Sequence, residues 1–106
     1  MKFNAITDRN VFYPTHLMGY IRSTRRELQE RFGKPMTFSP LDTNGKVTTE
    51  WLIEFEDGVI ASIYDWKRYE FGSPALDEVY DWHIGGVGQT DEATPHVHAA
   101  MEVVNA

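Results

Sequence analysis

The sequence contains no cysteine, no long apolar run and no low-complexity tract. The absence of cysteine excludes disulfides and thiolate metal sites. Residues 1–8 lack the apolar core of a signal peptide and no apolar run is long enough to span a membrane, so a cytoplasmic protein without membrane contact is expected. The chain also lacks a P-loop, a nucleophile elbow and a dinucleotide fingerprint. The absence of these three motifs argues against the enzyme classes that they identify.

The sequence does contain enough apolar material for one folded domain. Its 106 residues are 42% hydrophobic and 13% aromatic, as in globular chains, and this length predicts a single domain over 1–106. The net charge of −6 is uneven, with +4 over residues 1–46 and −10 over residues 47–106. The acidic half disfavours nucleic acid and suits a basic protein partner. It is also compatible with two halves that pair, or with a solvated acidic surface.

A β-hairpin is predicted over residues 47–66. Apolar and polar residues alternate along its first half, which indicates a half-buried strand, and Asp57-Gly58 is a turn signal. A two-residue turn and a three-residue turn with Gly58 left-handed both fit this pattern. The three-residue turn sets Trp51 opposite Ile63 and collects the apolar side chains on one face, so it is the preferred register.

A capping box predicts a helix over about residues 24–32. The Thr24 hydroxyl can accept from the Glu27 amide while the Glu27 carboxylate reaches back to the Thr24 amide. Leu28 and Phe32 then share one face, which must be buried because so short a helix is unstable alone.

Weaker signals define the rest of the chain. Residues 1–21 show no clean period and are expected to be irregular, and residues 36–46 are expected to form a loop. The remaining predictions are a short helical turn over 74–79, a third strand over 81–84 and a final helix over about 95–104 that buries Val97, Met101 and Val104. The predicted fold is α+β, a small antiparallel sheet of three to four strands with a central hairpin and with helices on one face.

The tripeptide Tyr-Asp-Trp occurs twice, at 64–66 and at 80–82. Tyr and Trp two residues apart share one side of a strand, so two such strands are predicted to form one aromatic cluster. Asp65 and Asp81 are predicted to lie together at the rim of a concave surface, with His83 close by. The candidate binding residues are Tyr64, Asp65, Trp66, Tyr80, Asp81, Trp82, His83, Gly85 and Gly86.

This surface is compatible with three chemical roles. A protein interface needs only its aromatic and acidic side chains. A small-ligand or nucleotide site would stack the ligand on the aromatic rings, with the amides of Gly85 and Gly86 facing an anion. A metal-dependent hydrolase would use Asp65, Asp81 and His83. No cofactor and no metal site is assigned, since His96 and His98 would point about 200° apart on a helix.

Parts of the sequence resemble small uncharacterised accessory proteins of tailed bacteriophages, particularly those that infect actinobacteria. The resemblance covers roughly residues 19–86. It lies in Gly19-Tyr-Ile-Arg-Ser-Thr24, Glu27-Leu28, Phe32-Gly33, Thr49-Glu-Trp51, Glu54-Phe-Glu-Asp-Gly58, Ile63-Tyr-Asp-Trp-Lys67 and Asp81-Trp-His-Ile-Gly-Gly86. It implies an accessory protein in the cytoplasm of an infected host, and it carries no catalytic residues.

The sequence therefore favours a non-enzymatic role in protein–protein interaction, through the aromatic and acidic surface. The expected partner is a host factor or a second copy of the chain. The small-ligand module and the hydrolase remain the alternatives, and the identity of the partner or ligand is left open.

Overall fold

In a computed structural model of the protein, a six-stranded antiparallel sheet carries two helices on one of its faces. The structure describes residues 1–105, with side chains at all of these except 40, 42 and 103–105. The elements in chain order are strands β1 (Phe3–Ile6) and β2 (His16–Ser23), helix α1 (Arg25–Phe32), strand β3 (Met36–Thr37), the single turn α2 (Pro40–Thr43), strands β4 (Thr49–Phe55), β5 (Ile60–Tyr64) and β6 (Tyr80–Gly86), and helix α3 (Ala93–Asn105).

The strands follow the order β1-β4-β5-β6-β2, and β3 also pairs with β4. The α+β class is confirmed, but the predicted count of three to four strands is too low. The additional strands are β3, which lies in the expected loop, β1, which lies within the segment expected to be irregular, and β2, which begins in that segment and ends two residues beyond it. In β2 the pairing with β6 shifts between Leu17 and Gly19, and such a bulge interrupts the alternation that identifies a strand in the sequence.

The hairpin of β4 and β5 has the preferred register. Trp51 pairs with Ile63 and Ile53 with Ala61. The Phe55 amide donates to the Val59 carbonyl at 2.9 Å, and Gly58 has a φ of 90°, in the left-handed region that glycine enters without steric cost. The three-residue turn is therefore confirmed.

Helix α1 begins as its capping box predicts. The Thr24 amide donates to Glu27 Oε1 at 3.2 Å, and the Glu27 amide donates to Thr24 Oγ1 at 3.2 Å. Leu28 and Phe32 are buried. The short, doubly capped helix is thus held by its apolar side against the sheet.

The third strand is confirmed and is longer than predicted, because it also includes Tyr80, Gly85 and Gly86. The final helix is also confirmed and begins two residues earlier than predicted. Asp91 accepts from the Thr94 amide at 2.9 Å, so the carboxylate of Asp91 caps a first-turn amide. Val97 and Met101 are buried as predicted, and the side chain of Val104 lies outside the described residues.

The predicted helical turn over 74–79 does not form, and only a turn is present there. The Leu76 carbonyl accepts from the Arg26 amide at 2.9 Å, and the Asp77 carboxylate accepts from the Arg26 guanidinium at 2.7 Å. These contacts with α1 hold the segment in place of a helix of its own.

The two faces of the sheet differ in what covers them. The covered face packs against α1 and α3, and its core includes Trp51 and Trp82, whose ring centroids lie 5.3 Å apart. On the open face, a smaller cluster of Met36, Leu52 and Ile60 occupies one end. Within the described residues no helix has both the length and the apolar character needed to cross a membrane.

Candidate functional site

One row of polar and aromatic side chains crosses the open face. Glu50 pairs with Tyr64 across β4 and β5, Tyr64 pairs with His83 across β5 and β6, and His83 pairs with Tyr20 across β6 and β2. Directly paired residues point to the same face and lie about 5 Å apart. The row therefore brings four strands together at one surface.

The rings of this row pack around His83. Its imidazole lies 4.9 Å from the Tyr20 ring, 5.4 Å from the Tyr64 ring and 6.3 Å from the Trp66 ring, measured between centroids. The Trp66 amide donates to the Tyr80 hydroxyl at 3.1 Å, which ties the end of the hairpin to β6. Because Trp66 is 38% exposed and Tyr20 is 51% exposed, both rings are available to a partner.

Glu50, Tyr64, Trp66 and His83 are among the side chains that line a cleft of about 440 Å³ on the open face, here called the aromatic cleft. Volumes of this order are typical of ligand sites. Its walls are Thr15, His16, Leu17, Val47, Glu50, Tyr64, Trp66 and His83. The start of β2 forms one side of the cleft and the hairpin forms the other.

Glu50 is the unusual member of this set. Its side chain is half-buried, and burial raises the pKa of the carboxyl to about 7. Among the described residues, no donor lies within hydrogen-bonding distance of the carboxylate. A half-buried carboxylate without a donor is costly when it is charged. Glu50 therefore changes charge near neutral pH, as groups at functional sites often do.

Burial shifts the pKa values of His83 and Tyr64 so that the uncharged form of each side chain is favoured. Burial lowers the pKa of His83, opposed by the charge of Asp65. Burial raises the pKa of the Tyr64 hydroxyl, with further contributions from Glu50 and Tyr20. The Nδ1 atom of His83 is buried and has no hydrogen-bond partner among the described residues. Burial thus favours a neutral imidazole beside a neutral phenol.

The structure brings together only part of the predicted binding surface. Tyr64, Trp66 and His83 line the aromatic cleft, and Tyr80 supports Trp66 from outside it. Trp82 is fully buried on the covered face, so stacking on a ligand would require it to leave the core. The predicted single cluster of both tripeptides is therefore wrong.

Gly85 and Gly86 also differ from the prediction. Both are buried inside β6, paired with β5 on one side and β2 on the other. A Cβ at Gly85 would come within 2.5 Å of the Ser62 hydroxyl. These glycines allow close packing within the sheet. They do not form the edge of amides that was predicted to face an anion.

The predicted rim of Asp65 and Asp81 does not form. Tyr64 pairs with His83, an odd offset between the two tripeptides, so Asp65 and Asp81 point to opposite faces. Asp65 is fully buried and accepts from the amides of Thr48 and Thr49 at 2.8 and 3.0 Å and from the Thr48 hydroxyl. Asp81 is exposed and pairs with Arg22 at 3.3 Å.

This placement also separates the residues of the predicted hydrolase. Asp65 is enclosed on the covered face, while His83 lies on the open face. Within the part of the chain that the structure describes, no group of three or more His, Asp or Glu side chains is arranged to hold a metal ion.

Glu50 was missed because alternation assigns it to the polar, solvent-facing side of β4. The signal that could have found it is the hairpin register itself. Once Trp51 is opposite Ile63, Glu50 must be opposite Tyr64, and the carboxylate then belongs to the aromatic surface.

Comparisons of the chain with protein-family models, with curated proteins and with solved structures found no match. The geometry of the aromatic cleft is therefore the basis for a functional proposal.

Proposed function

We propose that this protein is a non-enzymatic interaction module that docks a basic segment of a partner protein on the open face of its sheet. The observation that carries the proposal is Glu50, a half-buried carboxylate that receives no hydrogen bond from the described residues and is set among accessible aromatic rings. Because its oxygen atoms are not fully enclosed, a donor group on a bound partner can reach them.

The composition of the open face supports a protein partner. Trp66 and Tyr20 are exposed around the cleft, and Leu17 beside them is 47% exposed. Tyr and Trp are enriched among the residues that dominate binding energy at interfaces. An exposed aromatic surface of this kind in a soluble chain is typical of a recognition site.

The charge distribution supports a basic partner. Residues 47–106 carry twelve acidic and two basic residues. Part of this charge is already neutralised by the first half of the chain, as in the pairs of Arg22 with Asp81 and Arg26 with Asp77. Glu50 and Glu54 remain on the open face without such pairing, which favours a cationic segment there.

A fluorescence-polarisation titration with a short lysine-rich peptide tests this function. The wild-type protein should bind it, and a matched glutamate-rich peptide should not bind. Trp66→Ala and Tyr20→Ala should each weaken binding about tenfold, the usual loss for an interface anchor worth just over 1 kcal/mol. Asp77→Asn removes an exposed carboxylate beside α1, away from the open face, and should leave binding unchanged.

Equal binding of both peptides, or equal weakening by the Asp77 variant, would show only general charge attraction and would overturn the proposal. Sedimentation of the wild-type protein and the Trp66 variant decides whether the partner is a second copy. Concentration-dependent association that disappears with Trp66→Ala would identify a homodimer.

A small-ligand module is the second candidate, favoured by the volume of the cleft. A thermal-shift screen with nucleotides distinguishes it, because a ligand that binds only the folded state raises the Tm. The phage origin and the host cytoplasm, which the sequence resemblance implies, stay predictions about the setting in which either function operates.

A further inference from the structure

We propose that the aromatic cleft is a binding site for one alkylammonium group, of the kind that ends a lysine side chain, with Glu50 as its counter-ion. This inference rests on the proposed function, because the docked partner supplies the lysine. It goes further by naming the chemical group that enters the cleft and the residue that meets its charge.

The shape of the cleft favours an ammonium over a guanidinium. The rings of Tyr64 and Trp66 lie 6.2 Å apart between centroids and are inclined by 76°, edge to face, so the two ring planes that border the cleft are nearly perpendicular. A compact ammonium can contact both rings, whereas a planar guanidinium stacks parallel to only one. Leu17 and Val47 line the same cleft and give the aliphatic stem of a lysine an apolar surface.

The charges around Glu50 leave it free to act as a counter-ion. The other titratable groups that line the cleft are His16 from β2, Tyr64 from β5 and His83 from β6. Burial lowers the pKa of His83, so that imidazole is held neutral and does not repel a cation. None of the described residues that line the cleft is Lys or Arg.

The chain itself shows that this indole accepts an ammonium. The Nζ atom of Lys67 lies 5.6 Å from the centroid of the Trp66 ring, within the range of cation–π attraction. Lys67 does not line the cleft, so the space beside Glu50 is left for an incoming group.

Binding of a cation to Glu50 must be coupled to loss of a proton. The carboxyl has a pKa of about 7 in the free protein, and only its charged form attracts an ammonium. The apparent affinity scales with the charged fraction, so it should rise about tenfold between about pH 6 and about pH 8. An ordinary carboxylate is ionised across this whole pH range. If the counter-ion had an ordinary pKa, the affinity for the ammonium would therefore not rise between these pH values.

The probe is N-acetyl-lysine methylamide, titrated into the full chain while the indole N–H of Trp66 is followed by NMR. It should bind with a dissociation constant in about the millimolar range, which is usual for one small contact site. The norleucine analogue, which lacks the ammonium, should not bind, and the arginine analogue should bind more weakly. Glu50→Gln should abolish both the binding and its pH dependence. Asp81→Asn, on the same face but outside the cleft, should bind as the wild type does.

The proposal is overturned if Glu50→Gln binds the lysine analogue as well as the wild type, or if the norleucine analogue produces the same shifts. Its failure is distinguishable from that of the proposed function. If the lysine-rich peptide binds in a Trp66-dependent manner while the single lysine analogue does not, the docking function stands and the ammonium site falls. If neither binds, both fall.

Discussion

Each face of the sheet carries one carboxylate that is at least half-buried, and the two carboxylates differ in the hydrogen bonds they receive. On the covered face, Asp65 is fully buried, and two amides and one hydroxyl donate to it. On the open face, Glu50 is half-buried and receives no hydrogen bond from the described residues. A carboxylate with donors from the chain stabilises the fold, whereas one without them can accept from a ligand, as we propose for Glu50. In this proposal the hydrogen-bond donors, and not burial alone, distinguish the structural carboxylate from the binding one.

The tryptophans show the same contrast. Trp82 is fully buried against Trp51, while Trp66 is 38% exposed beside the cleft. The covered face is thus organised around apolar packing and the open face around accessible rings. Changes on the two faces should therefore differ in their effects on stability and on binding.

Replacing the buried indole should have the largest effect. Trp82→Ala should lower the free energy of unfolding by about 3–5 kcal/mol, because it leaves a large cavity in a packed core. Trp66→Ala should cost about 1 kcal/mol or less, as for a partly exposed residue. Urea unfolding followed by far-UV circular dichroism measures both. If Trp82→Ala does not fold, Trp82→Phe keeps a ring in the core and should lose less. Equal losses at positions 82 and 66 would contradict the division into two faces.

The pH dependence of stability should come next in size. The pKa of Glu50 rises from an ordinary 4.5 to about 7 on folding, so between these values the folded state holds a proton that the unfolded state has released. Stability should therefore be greatest below about pH 4.5 as far as this group is concerned. It should fall as pH rises to about 7, by roughly 3 kcal/mol in total, and level off above that.

The control for this effect is Glu50→Gln, which cannot ionise. The difference in urea midpoint between the wild type and this variant isolates Glu50 from the other acids. A difference that does not change between about pH 5 and about pH 8 would show that the carboxyl is well solvated.

Much of the fold was predictable because its signals are local. The capping box of Thr24 and Glu27 depends on residues three apart, and the turn at Asp57-Gly58 fixes the register of a whole hairpin. Burial of the core-facing Trp51 followed from that register. The sequence predicts such features correctly because few distant residues influence them.

The aromatic cleft was only partly predictable because it is built from distant segments. Tyr64, Trp66 and His83 were selected for their aromatic character, and all three line it. Glu50 was not selected, since its burial depends on how the start of β2 lies across the open face. The prediction that Asp65 and Asp81 lie together is wrong for a related reason. The offset between β5 and β6 is a tertiary feature that the repeated tripeptide does not encode.

Removing the charge of Asp65 should have a smaller effect than losing an indole from the core. Asp65→Asn keeps the shape but turns charge-assisted hydrogen bonds with Thr48 and Thr49 into neutral ones, so about 2 kcal/mol of stability should be lost. The matched Glu50→Gln variant should be neutral or more stable at about pH 8, because it removes a half-buried charge that receives no hydrogen bond from the described residues. If Asp65→Asn and Glu50→Gln change the urea midpoint in the same direction, the proposed difference between the two carboxylates is wrong.

The smallest effect is expected at the start of α1, which covers one face and has no contact with the aromatic cleft. Thr24→Ala removes the hydroxyl that accepts from the Glu27 amide, and it should cost about 1 kcal/mol, the usual loss for an N-cap. Because the side chains of the open face keep their positions, binding of the lysine-rich peptide should not change under conditions in which the variant stays folded. Thr24→Ser keeps the capping oxygen and should recover most of the stability. Weaker peptide binding by a folded Thr24→Ala protein would mean that the two faces are coupled through the sheet, and the open face could then not be treated as an independent binding surface.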